Sequence, residues 1–246
     1  MKVNQNCPYC MRDAFAISAV NTLTFKVEQQ QLMDDGIHPV KCPKGHEFVV
    51  VFSGAKFEVL FDIAMNAIKD GYAREAVSSF ASSLERFYEF FIRYCAYYQE
   101  TDENEFEKVW KSVSNQSERQ LGAYLFVYLG KYSSAPTLLS QKMVTFRNKV
   151  IHKGYIPTLS EAIEFGEAVH RSIMNVIAKL EVDEDKQLSE FYQTMLPHAS
   201  GFEWTVNESP RAISLNTRYK TPELSKPTRC KEYAVILKAF GVASNL

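Results

Sequence analysis

Apolar residues recur every three or four positions over most of this chain, and that spacing predicts helices from Lys56 to about residue 180. The first predicted helix ends at the "DGY" of residues 70–72. The most regular segment is 73–99, where a second apolar seam runs beside the first, so we expect this helix to be covered on two sides. Further helices are predicted at 104–114, 117–130, 138–153 and 159–180.

Before Lys56 the pattern changes to a period of two, which is typical of β-strands. Leu23, Phe25 and Val27 alternate with polar residues, and the "EFVVVF" of residues 47–52 is rich in valine and phenylalanine. These patterns predict a small β-rich module over about residues 1–53. Strands this short bury too little apolar surface to fold alone, so we expect an additional source of stability.

Two short motifs in this module have the spacing of metal ligands. Cys7 and Cys10 lie in "CPYC", and Cys42 and His46 lie in "CPKGH". Three thiolates and one imidazole make a complete tetrahedral set, which predicts a structural zinc in a module that resembles a zinc ribbon. His38 lies nearby and is the alternative to His46 as the fourth ligand. Four protein ligands leave no open position, so we do not expect catalysis at this metal.

Composition narrows the possible functions and location. The net charge of the 246 residues is −1, so the surface as a whole does not attract nucleic acid, and any such binding must be local. No apolar run approaches the roughly 20 residues that span a bilayer, and the first residues contain no signal-peptide pattern. We therefore expect a cytoplasmic protein with no membrane association, in which the cysteines are reduced.

Three polar residues lie off the apolar stripe of the helix predicted at 138–153: Arg147, Asn148 and His152. Asn148 and His152 are one turn apart, whereas Arg147 lies about 140° round the helix from His152. The long arginine side chain, and a final turn that ends at Gly154, can bring the three groups together. A guanidinium beside an imidazole suits phosphate chemistry. The alternative is that these cations only complement the dipole of the helix C-terminus.

Three other residues have reactive side chains, and for each a structural role is the alternative to a functional one: Glu85, Cys95 and His170. Glu85 falls within the second seam of 73–99, where its carboxylate either reaches water at the edge or pairs with an arginine such as Arg147. We expect Cys95 to be a core residue and His170 to lie at the surface or the edge of the core rather than in a catalytic site.

The run "RNKVIHKG", followed by "PTLSEA", resembles the Arg-Asn-x3-His signature of the HEPN superfamily over about residues 56–180. The resemblance implies a metal-independent endoribonuclease that acts as a homodimer in phage defence or in a toxin–antitoxin type of system, with an antitoxin or another defence protein as a possible partner. It further implies that Arg147 binds and stabilises the scissile phosphate of RNA and that Asn148 orients the site. His152 would then be the general acid or base in attack by the ribose 2′-hydroxyl.

The predicted fold is mainly α, an HEPN-like antiparallel helical bundle at 54–182 with the zinc ribbon at 1–53 and a C-terminal extension at 183–246. Basic residues outnumber acidic ones from Asn207 onward, which fits an RNA-contacting extension, but a solvated tail with a short final helix fits equally well. The rival function is a non-catalytic nucleic-acid-binding adaptor, in which the ribbon binds and the helical body dimerises.

Overall fold

A computed structural model describes residues 2–3, 7–16, 30–201, 205–208, 212–213, 215 and 232–242, and the structural statements below concern these residues. The chain divides into two compact units. The N-terminal unit comprises Met1–Gly54 and Met195–Pro210, and the helical unit comprises Ala55–Thr194 and Arg211–Leu246. The first break lies beside the predicted boundary at 53–54, whereas the segment that follows the long last helix of the bundle returns to the N-terminal unit.

The described residues of the N-terminal unit form short strands and one helix: β1 Lys2–Val3, α1 Pro8–Ala16, β2 Gln30–Gln31, β3 Ile37–Lys41, β4 Glu47–Phe52 and β5 Thr205–Glu208. Strand β1 pairs with β2, while β3 pairs antiparallel with β4 and β5 adds parallel to the other edge of β4. The strand predicted at "EFVVVF" is therefore present as β4. The strand predicted around Phe25 lies outside the described residues.

The helical unit has seven described helices: α2 Lys56–Lys69, α3 Ala73–Tyr98, α4 Glu103–Val113, α5 Ser117–Tyr132, α6 Gln141–Lys153, α7 Leu159–Thr194 and α8 Tyr233–Ala239. The mainly α prediction is confirmed, and α2 to α6 lie close to their predicted bounds. No helix among the described residues combines the length and apolar character that crossing a membrane requires.

Helix α3 is the centre of the helical unit, because it packs against α2, α5, α6 and α7. Residues of both apolar seams are buried, among them Phe80, Phe87 and Phe91 on one seam and Tyr88 and Cys95 on the other. Each fully buried apolar side chain contributes about 1.5–3 kcal/mol to folding. The second seam is covered within the chain, as its apolar pattern predicted.

Helix α7 is longer than predicted. The helix was predicted to end at about residue 180, but it runs through the acidic "EVDED" of 181–185 to Thr194, with one non-helical residue, Glu184 (φ −147°, ψ 36°). The Glu184 carboxylate accepts hydrogen bonds from Lys131 Nζ, at 2.6 Å, and from the Tyr94 hydroxyl. Because Glu184 is paired inside the unit and Leu188 beyond it is buried, the acidic run does not end the helix.

The described residues of the C-terminal extension beyond Pro210 belong to the helical unit. Ala212 and Leu215 are buried, and their backbone N–H groups donate to Asp62 Oδ1 at 2.7 Å and to Glu58 Oε1 at 2.5 Å. Burial raises the pKa of Glu58 to about 7. The short final helix is present as α8, whereas Tyr219, Cys230 and most of the basic residues of the extension lie outside the described residues.

Candidate functional site

The four predicted metal ligands converge in the N-terminal unit. The Sγ atoms of Cys10 and Cys42 are 3.8 Å apart. The Nδ1 atom of His46 lies 3.7, 3.4 and 3.5 Å from the Sγ atoms of Cys7, Cys10 and Cys42. Tetrahedral zinc, with bonds of about 2.3 Å to sulfur and about 2.0 Å to nitrogen, separates its ligands by about 3.8 Å (S to S) and about 3.5 Å (S to N). The distances in the structure match that geometry.

Local structure presents these ligands. Cys7 and Cys10 lie at the start of α1, and Cys42 and His46 lie in the turn between β3 and β4. Gly45 in this turn has φ +87°, a backbone conformation that favours glycine. Burial would raise the pKa of the Cys42 thiol, but hydrogen bonds from the His46 and Lys44 backbone amides outweigh it and lower the pKa to about 7. Burial and the neighbouring thiols raise the pKa of Cys10 to about 12. A cation at the centre would offset the repulsion between these closely spaced thiolates.

His38, the alternative ligand, does not belong to the cluster. It is buried, its Nε2 accepts a hydrogen bond from Met33 N at 2.9 Å, and its Nδ1 lies 3.3 Å from the carbonyl oxygen of Val50. His38 therefore supports the β3–β4 hairpin. His46 is partly buried, and its ring stacks on Tyr9 at 5.1 Å between centroids.

The second site is a pocket of about 660 Å³ in the helical unit. Helix α3 contributes to it, together with the start of α5, the segment before α6, α6 itself and Phe165 of α7. All three predicted catalytic residues, Arg147, Asn148 and His152, line this one pocket, as does Glu85. The tertiary structure thus brings the three residues to a common space.

Helix α6 presents the three residues because its own contacts with the core use other positions. Met143 and Val150 are the buried residues of α6. The helix begins at Ser140, whose hydroxyl accepts a hydrogen bond from Met143 N at 3.4 Å, and ends at Gly154, whose φ is +69°. The caps at both ends define where the polar residues fall along the helix.

Arg147 is held by two neighbours. Its Nη2 forms an ion pair with Glu85 Oε1 at 2.6 Å, and its Nη1 donates to Asn148 Oδ1 at 3.0 Å. The Arg147 and Glu85 side chains are only 24% and 27% exposed, whereas the Arg171–Glu167 pair on α7 is 68% and 50% exposed. Of the two alternatives that the sequence left open for Glu85, the structure shows the pair with Arg147. An arginine in this position keeps further N–H donors for a phosphate.

His152 is exposed, and within the described residues it forms no hydrogen bond or ion pair. The sequence of α6 contains five basic residues counting the histidine, and no acidic one: Lys142, Arg147, Lys149, His152 and Lys153. Lys142 pairs with Glu164 at 2.7 Å, and the Lys149 ammonium lies 3.4 Å from the centre of the Tyr155 ring. Helix α6, which carries Arg147, Asn148 and His152, is therefore positively charged.

His170 and Cys95 lie outside the pocket. His170 is buried between the rings of Phe61 and Tyr233, at 5.9 and 5.5 Å between centroids. Burial raises the pKa of Cys95 to about 12, which keeps its thiol protonated and unreactive. Both are core residues, as expected for Cys95.

The pocket also includes Ser117 and Glu118 in the first turn of α5, which the sequence did not identify. An acidic residue in a first turn is common because it complements the helix dipole, so nothing in their local pattern marks them as part of a site. Only the packing of α5 and α6 on α3 places them in the same pocket as Arg147.

Comparison with known proteins identifies no relative. No protein-family model, no curated protein and no solved structure matches this chain. The residues of the two sites, and the sequence resemblance to the HEPN superfamily over about residues 56–180, are therefore the basis on which a function can be proposed.

Proposed function

We propose that this protein is a metal-independent HEPN-type endoribonuclease that acts in phage defence or in a toxin–antitoxin type of system. The observation that carries the proposal is the convergence of Arg147, Asn148 and His152 on one pocket of a helical unit. The HEPN-like motif supplies the expected chemistry, and the positive charge of α6 suits a phosphate-rich substrate.

In the proposed reaction the ribose 2′-oxygen attacks the adjacent phosphorus while the bond from phosphorus to the 5′-oxygen breaks. His152 takes the proton from the 2′-hydroxyl or delivers one to the leaving 5′-oxygen. Arg147 offsets the charge that builds up on the phosphate, and Asn148 and Glu85 hold the guanidinium in place. The products carry a 2′,3′-cyclic phosphate and a 5′-hydroxyl.

We also propose a homodimer that forms through α5. Phe126 is 77% exposed and Leu129 is 47% exposed on this helix. A methyl group added at Gly122 or Gly130 would meet no atom within 4 Å, so a neighbouring helix could approach closely there. An exposed apolar strip of this kind favours association. Light scattering should give a dimer mass that Phe126→Ser lowers to that of a monomer, and a monomeric wild-type protein at tens of micromolar would contradict the proposal.

We assign a structural zinc to Cys7, Cys10, Cys42 and His46. The donor set and its spacing suit this ion, and four protein ligands would complete a tetrahedral shell. Such an ion would stabilise the N-terminal unit, and the proposed cleavage does not use it.

The central experiment compares wild-type protein with His152→Ala and with the control His198→Ala, which removes an exposed histidine outside the pocket. RNA is incubated without magnesium and with EDTA, and the zinc content is measured afterwards to exclude loss of structure. Wild-type and His198→Ala proteins should cut RNA but not DNA. His152→Ala should lose activity by about 100-fold or more, with an unchanged circular dichroism spectrum.

A substrate with a 2′-O-methyl group at the cut site tests the nucleophile. Continued cleavage of this RNA, or full activity of folded His152→Ala, would contradict the proposal. The rival adaptor function draws support from the Glu85–Arg147 pair, which balances the arginine charge. Wild-type protein that binds RNA tightly but never cuts it, with binding unchanged in His152→Ala, would favour the adaptor.

A further inference from the structure

The pocket is larger and more apolar than a phosphate site requires. Besides the polar residues of α6, apolar side chains line it from three elements, including Leu84 and Tyr88 of α3, Leu121 of α5 and Val144 of α6. A phosphate group has no use for these walls, and its volume is a small part of about 660 Å³. The space beside Arg147 therefore suits a second, flatter and less polar group.

The two parts of the pocket are continuous, so a ligand that carries a phosphate and a flat apolar group would fill both. In RNA the attached groups are a ribose and its nucleobase, and of these only the base has apolar faces. Tyr88 offers a rigid wall, because it is 8% exposed and stacks on Tyr124 with 4.3 Å between centroids. A fixed aromatic ring loses little freedom when a base packs against it.

The α5 side of the pocket adds hydrogen-bonding groups, the Ser117 hydroxyl and the Glu118 carboxylate. Glu85 is engaged with Arg147, whereas Glu118 forms no ion pair among the described residues. An ionised carboxylate only accepts hydrogen bonds. The Watson–Crick edge of guanine carries two adjacent donors, at N1 and at the N2 amino group, which match the two carboxylate oxygens. The other bases place an acceptor next to their donor and so match less well.

We propose that this pocket binds a guanine base next to the scissile phosphate, with Glu118 as the residue that selects it. The inference rests on the proposed ribonuclease function and names the sequence preference of the same site. Positively charged α6 would contact the backbone, and the acidic first turn of α5 would read the base edge.

Binding is tested first, and without cleavage. His152→Ala protein is titrated with guanosine, adenosine, cytidine and uridine 3′-monophosphates by calorimetry. Guanosine monophosphate should bind at least about 10-fold more tightly than the others, since a bidentate pair discriminates by that order. Adding Glu118→Gln should remove the preference. Adding Glu103→Gln, which changes an exposed glutamate in the first turn of α4, should not. Equal affinities for all four nucleotides, or a preference that survives Glu118→Gln, would overturn the inference.

Cleavage is tested second, by sequencing the ends of cut RNA. Wild-type cuts should lie next to guanosine, and Glu118→Gln should redistribute them among the four bases. Cleavage without base preference would overturn the guanine pocket and leave the ribonuclease function standing. A guanosine preference in binding together with no cleavage would overturn the ribonuclease function and leave the guanine pocket standing.

Leu121→Trp distinguishes a base from another occupant, because an indole would fill the apolar part of the pocket. The variant should lose guanosine monophosphate binding and keep the oligomeric state of the wild type. If it instead changes the oligomeric state while nucleotide binding persists, the pocket belongs to an interface between copies, and the inference fails.

Discussion

The N-terminal unit and the helical unit are held together in different ways. Around the ligand cluster the buried core consists of the three cysteines with Val40, Phe48 and Val50. The helical unit buries many large rings completely, among them Phe57, Phe61, Phe80, Phe87, Phe91 and Tyr124. A few strong bonds would stabilise the first unit, and many weak contacts stabilise the second. One substitution should therefore unfold the first unit, whereas single changes should only weaken the second.

The largest effect is expected from Cys42→Ser. Structural zinc contributes about 10–16 kcal/mol in small zinc modules, which a core as small as this one cannot replace. Elemental analysis should find one zinc per wild-type chain and none in the variant, and protease should then degrade the N-terminal unit first. Cys95→Ala, a change at a buried cysteine of the helical unit, should keep the zinc. Wild-type protein purified without chelators and free of zinc would disprove the assignment.

The next largest effect is a pH dependence of the stability of the helical unit, caused by Glu58. The pKa of Glu58 is about 7 in the folded protein against an ordinary 4.5, so the folded state binds this proton more tightly than the unfolded state. The contribution of this group to stability is therefore greatest below about pH 4.5. It falls by about 3 kcal/mol as the pH rises to about 7.

Urea denaturation at several pH values should show that Glu58→Gln removes this loss. Glu164→Gln, which changes an exposed carboxylate paired with Lys142, should keep the pH dependence of the wild type. Identical pH profiles for wild type and Glu58→Gln would show that the buried carboxylate is not the cause.

Replacing glycine by alanine should change the free energy of unfolding by a smaller amount, with opposite signs at Gly166 and Gly122. A methyl group at Gly166 of α7 would lie 2.6 Å from two ring atoms of buried Phe80, so Gly166→Ala should cost about 1–3 kcal/mol. Gly122→Ala meets no atom within 4 Å and should stabilise α5 by up to about 1 kcal/mol in dilute protein. Thermal denaturation measures both, and shifts of the same sign would contradict the packing described for Gly166.

The smallest effect compares two ion pairs. Glu85→Gln should lower the free energy of unfolding by about 1 kcal/mol, because its pair with Arg147 is half-buried. Glu167→Gln breaks the more exposed pair with Arg171 and should cost less than about 0.5 kcal/mol. Double-mutant cycles with the two arginines give the coupling energies, and equal values would mean that burial does not strengthen the Glu85 pair.

Local patterns predicted much of this structure. The 3.6-residue period located α2 to α6. The spacing Thr158-x-x-Glu161 is typical of a helix start, and Thr158 N donates to Glu161 Oε2 at 2.8 Å. The spacing of Cys7, Cys10, Cys42 and His46 was sufficient to nominate a cluster that the structure assembles. These features depend on residues a few positions apart, whose relative geometry the backbone of a helix or turn sets directly.

The rest depended on residues far apart in the chain. The continuation of α7 beyond residue 180 was not predicted, because Lys131, the partner of Glu184, is distant in sequence. Nothing near Glu58 in the sequence shows that it accepts a hydrogen bond from the backbone of Leu215. The zinc and the ribonuclease reaction stay predictions until the experiments above are made.

By itself, the sequence determined the mainly helical fold, the ligand set and the presence of three polar residues at the end of α6. Only the tertiary structure decided that Glu85 pairs with Arg147, which helices cover the two sides of α3, and that Glu118 lines the same pocket as His152. The physical reason is the range of the interactions. Periodicity and capping act within a turn or two, whereas an ion pair, a packed seam and a pocket wall exist only after separate helices have come together.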